Sequence, residues 1–77
     1  MKPSGNNSMP IRAPADLGEF IRRRRKALGL TQASLAEQAT VGRRFLIELE
    51  EGKPTAQIGK VLRILSMLGV SLMAFEA

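Results

Sequence analysis

Two stretches of this sequence, 32–39 and 43–51, each carry apolar residues at helical spacing, and only three residues, Thr40 to Gly42, separate them. Leu35, Ala36 and Ala39 form the inward stripe of the first, and Leu46 and Leu49 that of the second. A connector this short makes the two helices neighbours, and the pattern matches the steeply crossed pair of a helix-turn-helix unit, with a three- or four-helix bundle joined by a short connector as the alternative. Crossing steeply requires close backbone approach, which the small Ala36 at the middle of the first helix permits. Thr31 precedes the first helix as an N-cap, and Gly52 follows the second as a residue able to take the left-handed conformation at a helix end. Any fold for this chain has to be built around that helix pair.

The flanking sequence supplies two more helices. Pro14 suits a first helical position, where its missing N–H has no partner, and Asp16 is favourable in the first turn. Leu17, Phe20, Ile21, Leu28 and the stem of Arg24 then share one face before Gly29 ends the helix. Beyond the Lys53-Pro54 connector, Thr55 is expected to cap a helix over 56–68, with Ile58, Val61, Leu62, Leu65 and Leu68 inward and Gly69 as terminator. Ile64 and Met67 lie off that stripe. The tail from Val70 to Phe75 reads as a short apolar strand, so Ile64, Met67, Val70, Leu72, Met73 and Phe75 together are expected to form a dimer interface. Residues 1–13, rich in Pro, Ser, Gly and Asn, predict a flexible arm, within which Met9 is an alternative start. The organisation expected is an arm (1–13), an all-α domain (14–69) and a dimerisation strand (70–77).

Composition narrows the function. About 60 residues outside the arm are near the lower limit for an independent core, so a partner subunit would help. Twelve Lys and Arg against seven Asp and Glu give a net charge of +5, a surface that attracts polyanions. With no Trp or Tyr and three Phe, the chain lacks the aromatic platforms on which single-stranded bases stack, which favours duplex DNA. Without His or Cys, catalysis would rest on carboxylates spread over helix surfaces, and no enzyme, metal or cofactor is expected. The 12-residue apolar stretch from Ile64 to Phe75 is too short to span a bilayer, and no secretion signal precedes the domain, so a cytoplasmic location is expected. The basic run 22–26 points all around its helix, which argues against a membrane-surface face.

The pattern Gly29-Leu30-Thr31-Gln32-x-x-Leu35-Ala36-Glu37, followed by Val41-x-Arg43-x-x-Leu46-x-x-Leu49-Glu50-x-Gly52-Lys53, resembles the Cro/phage-repressor (XRE) helix-turn-helix family over residues 14–70. The resemblance implies a four- or five-helix lambda-repressor-like domain with a short C-terminal strand. Within the family, the Arg-x-x-Arg before the motif, the Gly-Lys-Pro connector, the short chain and the apolar tail are most similar to HipB-type antitoxins. That similarity implies a homodimer on a pseudo-palindromic operator, repression of its own operon and a HipA-like kinase toxin as partner.

The resemblance also assigns residue roles. Arg43, Arg44 and Glu48 match positions that enter the major groove, where Arg fits guanine bidentately and Glu accepts from cytosine N4. Cations at the start of that helix and acids at its end oppose the helix dipole, an arrangement that points to function. Phe45 beside them reaches a thymine methyl, touches a partner or packs against the neighbouring helix. Gln32, with Thr31 (chiefly a cap), Lys53, Arg22 and Arg23 are the expected phosphate contacts, and Arg25 with Glu50 the expected internal salt bridge. Two positions depart from the family: Gly42 replaces a Ser or Thr cap at little cost, and Thr40 stands where Gly commonly makes the turn, although a β-branched residue disfavours positive φ. The main competing reading is a protein-interaction module, in which Glu37 or Glu76 faces a protein. The arm, through Lys2 and Arg12, is a candidate for minor-groove contact.

Overall fold

A computed structural model describes residues 8–76, which form four helices: α1 (Pro14–Ala27), α2 (Gln32–Ala39), α3 (Arg43–Glu50) and α4 (Ile58–Met67). Lys2 and most of the expected arm lie outside the described residues. Local chemistry sets the helix ends. Pro14 opens α1, and the Asp16 carboxylate accepts from the backbone N–H groups of Arg12 and Ala13 at 2.9 and 3.1 Å. Thr31 Oγ1 accepts from the Ser34 N–H at 3.0 Å and so caps α2.

All four helices stop in the same way. The N–H groups of Leu30, Val41, Lys53 and Val70 each reach back to a carbonyl five residues earlier, on Arg25, Ala36, Glu48 and Leu65. That closure needs a left-handed residue before the donor. Gly29, Gly52 and Gly69 supply it for three helices, and Thr40, at φ 56°, supplies it for α2. The turn is therefore retained despite the β-branched side chain, and Thr40 carries the strain. Arg63 of α4 spans the same turn, donating to the carbonyls of Ala39 at 3.0 Å and Thr40 at 3.2 Å. Thr40→Gly is expected to stabilise the fold by about 0.5–1 kcal/mol, the relief of left-handed strain less the entropy of a freer unfolded chain. A rise in the urea midpoint at constant m-value is the readout.

α2 crosses α3 and packs on α4, while α1 packs on α3. Their common core consists of Ile21, Leu35, Ala36, Ala39, Leu46, Leu49, Val61, Ile64, Leu65 and Leu68. α1 and α3 approach so closely at Gly18 that an added Cβ would lie 2.8 Å from the Glu50 carbonyl oxygen, which only glycine avoids.

The C-terminal third departs from the sequence reading. α4 starts at Ile58 with Gln57 as its uncapped N-terminal neighbour, because Pro54 and Thr55 form a turn instead of a cap. Ile64, expected at a dimer interface, has no exposed surface and belongs to the monomer core, whereas Ile58 and Leu62, expected inside, are 65% and 47% exposed. The core stripe is Val61, Ile64, Leu65 and Leu68. Val70, also expected at the interface, is half-buried against its own core. Among the described residues no strand forms in the tail: a strand needs a hydrogen-bonding partner, and a single chain offers none here. Met67, Leu72, Met73 and Phe75 remain exposed, Phe75 at 84%.

Candidate nucleic-acid interface

The outward side of α3 carries Arg43, Arg44, Ile47, Glu48 and Glu51 around a shallow hollow. Their spacing, i, i+1, i+4, i+5 and i+8, is one stripe of a helix, opposite the buried Leu46, Leu49 and Glu50. Arg43 and Arg44 occupy the first turn and are exposed to solvent. The helix presenting them is fixed from behind. Arg25 Nε and Nη2 grip the Glu50 carboxylate at 2.7 and 3.1 Å, and Arg25 Nη1 donates to the Leu30 carbonyl at 2.8 Å. Gln32 Nε2 adds a 3.0 Å bond to Glu50 Oε1. Among the described residues no buried side-chain polar atom lacks a partner, so this network is closed. It ties α1, the start of α2 and the end of α3 into one unit.

Glu48 is the second hub. Its carboxylate accepts from Lys53 Nζ at 3.0 Å on one side and lies 3.7 Å from Arg44 Nη1 on the other. The hydrogen bond and charge of Lys53, aided by Arg44, hold its pKa below the ordinary carboxylate value. Glu48 and Lys53, read from the sequence as independent contacts to base and phosphate, are thus a pair.

The basic run of α1 divides as its helical geometry requires. Arg25 enters the core network, and Arg24 Nε donates to the Leu68 carbonyl at 2.9 Å, closing the end of α4. Arg22, Arg23 and Lys26 remain exposed and form no ion pair among the described residues. Phe45 is half-buried against the core, with Lys60 Nζ 5.3 Å from its ring centroid, an arrangement that matches the third of its expected alternatives. Gln32 is half-buried and committed to Glu50 through one N–H, and a second N–H remains on its amide nitrogen. Thr31 caps α2.

Sequence reasoning missed Ile47, Arg63 and Gly18. Ile47 was legible from spacing alone, four residues after Arg43, but an isolated apolar residue on a charged face draws no attention. Arg63 and Gly18 act on backbone groups of distant helices, for which no sequence signal exists.

A four-helix domain whose second and third helices cross at a three-residue turn, with α3 presenting paired arginines outward, defines the helix-turn-helix class. The Helix-turn-helix (HTH_3) family model matches residues 21–75, and the chain belongs to this family, the Cro/C1-type or XRE proteins. It is 55% identical over 62 residues to the uncharacterized HTH-type transcriptional regulator y4mF of Sinorhizobium fredii (strain NBRC 101917 / NGR234), covering 80% of this chain and 82% of that protein. Among solved structures, the fold matches HipB in a complex with an O4 20mer at TM-score 0.83 and 21% identity, over 91% of this chain and 99% of that one. It also matches a chain of the HipA-HipB-O2-O3 complex at TM-score 0.82 and 20% identity, over 90% and 97%. Among the described residues no helix is long and apolar enough to cross a membrane.

Proposed function

We propose that this chain is a sequence-specific double-stranded DNA-binding repressor that acts as a homodimer, autoregulates its operon and serves as the antitoxin of a HipA-type kinase toxin. The observation that carries DNA recognition is the presentation of Arg43 and Arg44 on a fixed helix: both side chains are exposed in the first turn of a helix anchored by the closed Arg25–Glu50–Gln32 network. A positioned guanidinium reads guanine O6 and N7 with two hydrogen bonds. Ile47, between them and Glu48 on the same face, is suited to a thymine methyl. Phosphates are met by the second amide N–H of Gln32 with the backbone N–H groups opening α2, by Lys53, and more weakly by Arg22 and Arg23.

The dimer reading rests on Ile58, Leu62, Met67, Leu72, Met73 and Phe75, all exposed in the single chain. Two copies pairing their tails would supply the missing strand partner and cover this surface. Two α3 helices about one helical turn of DNA apart would then read a pseudo-palindromic site. The antitoxin role rests on the likeness to HipB, which in one solved structure is in complex with HipA.

The test is binding to a duplex from the chain's own upstream promoter against scrambled duplex at two salt concentrations. A preference of about a hundredfold or more with a steep salt dependence is the result expected of a specific repressor. Binding without preference would shift the function to protein neutralisation. Deleting the tail from Val70 onward is expected to leave a predominantly monomeric or unstable protein by analytical ultracentrifugation; an intact dimer would remove the tail from the interface.

A further inference from the structure

We propose that Glu48 is an electrostatic filter on the recognition surface, holding Lys53 and Arg44 in the free protein so that their charges are released only to DNA that offers the carboxylate a donor in return. The inference rests on the DNA-binding reading and adds to it a means of rejecting wrong sequences.

The geometry sets the conditions. Lys53 Nζ donates to Glu48 Oε1 at 3.0 Å, and Arg44 Nη1 lies 3.7 Å from Glu48 Oε2, so one carboxylate occupies the space between two cations that DNA would otherwise attract. Arg43 and Glu51 complete the charged rim of the hollow that Arg44 and Glu48 line. The carboxylate stays ionised below the ordinary range because Lys53 bonds it, so the filter is charged throughout neutral pH. About two-thirds of the Glu48 side chain is covered in the free protein, whereas Arg44 is 88% exposed and Lys53 48% exposed. Both cations have room to swing away.

Consider a random duplex approaching this face. Lys53 gains a phosphate only by leaving Glu48, and the carboxylate left behind faces a polyanion with no proton donor opposite it. An unpaired anion inside a closing interface is costly, because its hydration is lost and nothing replaces it. Opposite a cytosine the outcome reverses, since the N4 amino group in the major groove donates to the carboxylate. Lys53 then contacts phosphate without leaving an orphan charge. A lysine that would weaken all sequences alike when removed becomes, through Glu48, a contact whose worth depends on sequence. Discrimination arises from a repulsive element set against the wrong partner.

The experiment compares the intact chain with Glu48→Gln, Lys53→Met and the double variant on promoter and scrambled duplexes across a salt series. Glutamine keeps the shape and removes the charge. Glu48→Gln is expected to tighten binding to scrambled duplex by about three- to tenfold and to steepen its log–log salt slope by about 0.9, one additional counterion. Binding to the promoter should weaken or stay unchanged, so the preference falls. Lys53→Met should cost more affinity for scrambled duplex when combined with Glu48→Gln than when made alone. Unchanged affinity and slope on scrambled duplex for Glu48→Gln would overturn the filter while leaving the repressor reading intact, provided the unsubstituted chain still prefers its promoter. Absence of that preference in the unsubstituted chain would overturn both. Carbon-13 titration of the Glu48 carboxyl gives an independent readout in the free protein. Its midpoint should rise toward the ordinary value in Lys53→Met, and no change would remove the clamp on which the proposal stands.

Discussion

Glu50→Ala is expected to destabilise the domain by about 3–5 kcal/mol, a large share of the stability available to a domain of this size. The Glu50 carboxylate accepts three hydrogen bonds, two from Arg25 and one from Gln32. Removing it leaves a guanidinium buried at 9% side-chain exposure with no counter-charge, together with a stranded amide. An uncompensated buried charge costs more than the pair itself contributes. Replacing both partners, as Arg25→Met with Glu50→Leu, is therefore expected to recover much of the loss. Urea denaturation of the three proteins checks this. A melting temperature that falls by less than about 5 °C in Glu50→Ala would show that the network does not hold the helices together. The double substitution leaves Gln32 without its acceptor, so a well-folded double variant with weakened DNA binding would also assign the network a role in placing the start of α2.

Arg43→Ala and Arg44→Ala are each expected to cost about 1–3 kcal/mol on the promoter duplex, and together about 2–6 kcal/mol if their contacts are independent. On scrambled duplex the loss should be much smaller, because the groups removed carry base readout. Stability should scarcely change, since both side chains point into solvent from the first turn of α3. Removing two cations from a helix N-terminus even favours the helix slightly. Selection of preferred sites from a randomised duplex should show relaxed preference at one base position per substitution. Equal losses on promoter and scrambled DNA would reduce Arg43 and Arg44 to general electrostatic contacts.

The sequence by itself determined the number of helices, the limits of the first three to within a residue, and the crossed pair at their centre. These follow from local rules: a cap at Thr31, Pro14 at a first turn, glycines where left-handed closure is needed, and apolar residues at 3.6-residue spacing. The Arg25–Glu50 pair was legible only through family resemblance, because nothing local links residues 25 apart.

Tertiary structure decided what local spacing left degenerate. Helix α4 and its C-cap have apolar residues at 58, 61, 62, 64, 65, 67 and 68, which cover more than one face. Two stripes satisfy the same periodicity, and docking on Leu35, Ala36 and Ala39 of α2 selects the one containing Ile64 over the one containing Ile58 and Leu62. A shift of about one residue in helical phase exchanges core for surface. The same logic holds for Phe45, whose ring is claimed by the core and Lys60. Thr40 shows the converse: local preference argued against a left-handed residue, and the closure of α2, braced by Arg63 from α4, imposed one. Spacing fixes which faces are apolar. Only packing fixes which of them are buried, because burial is a property of the neighbours a side chain meets and not of its place in the chain.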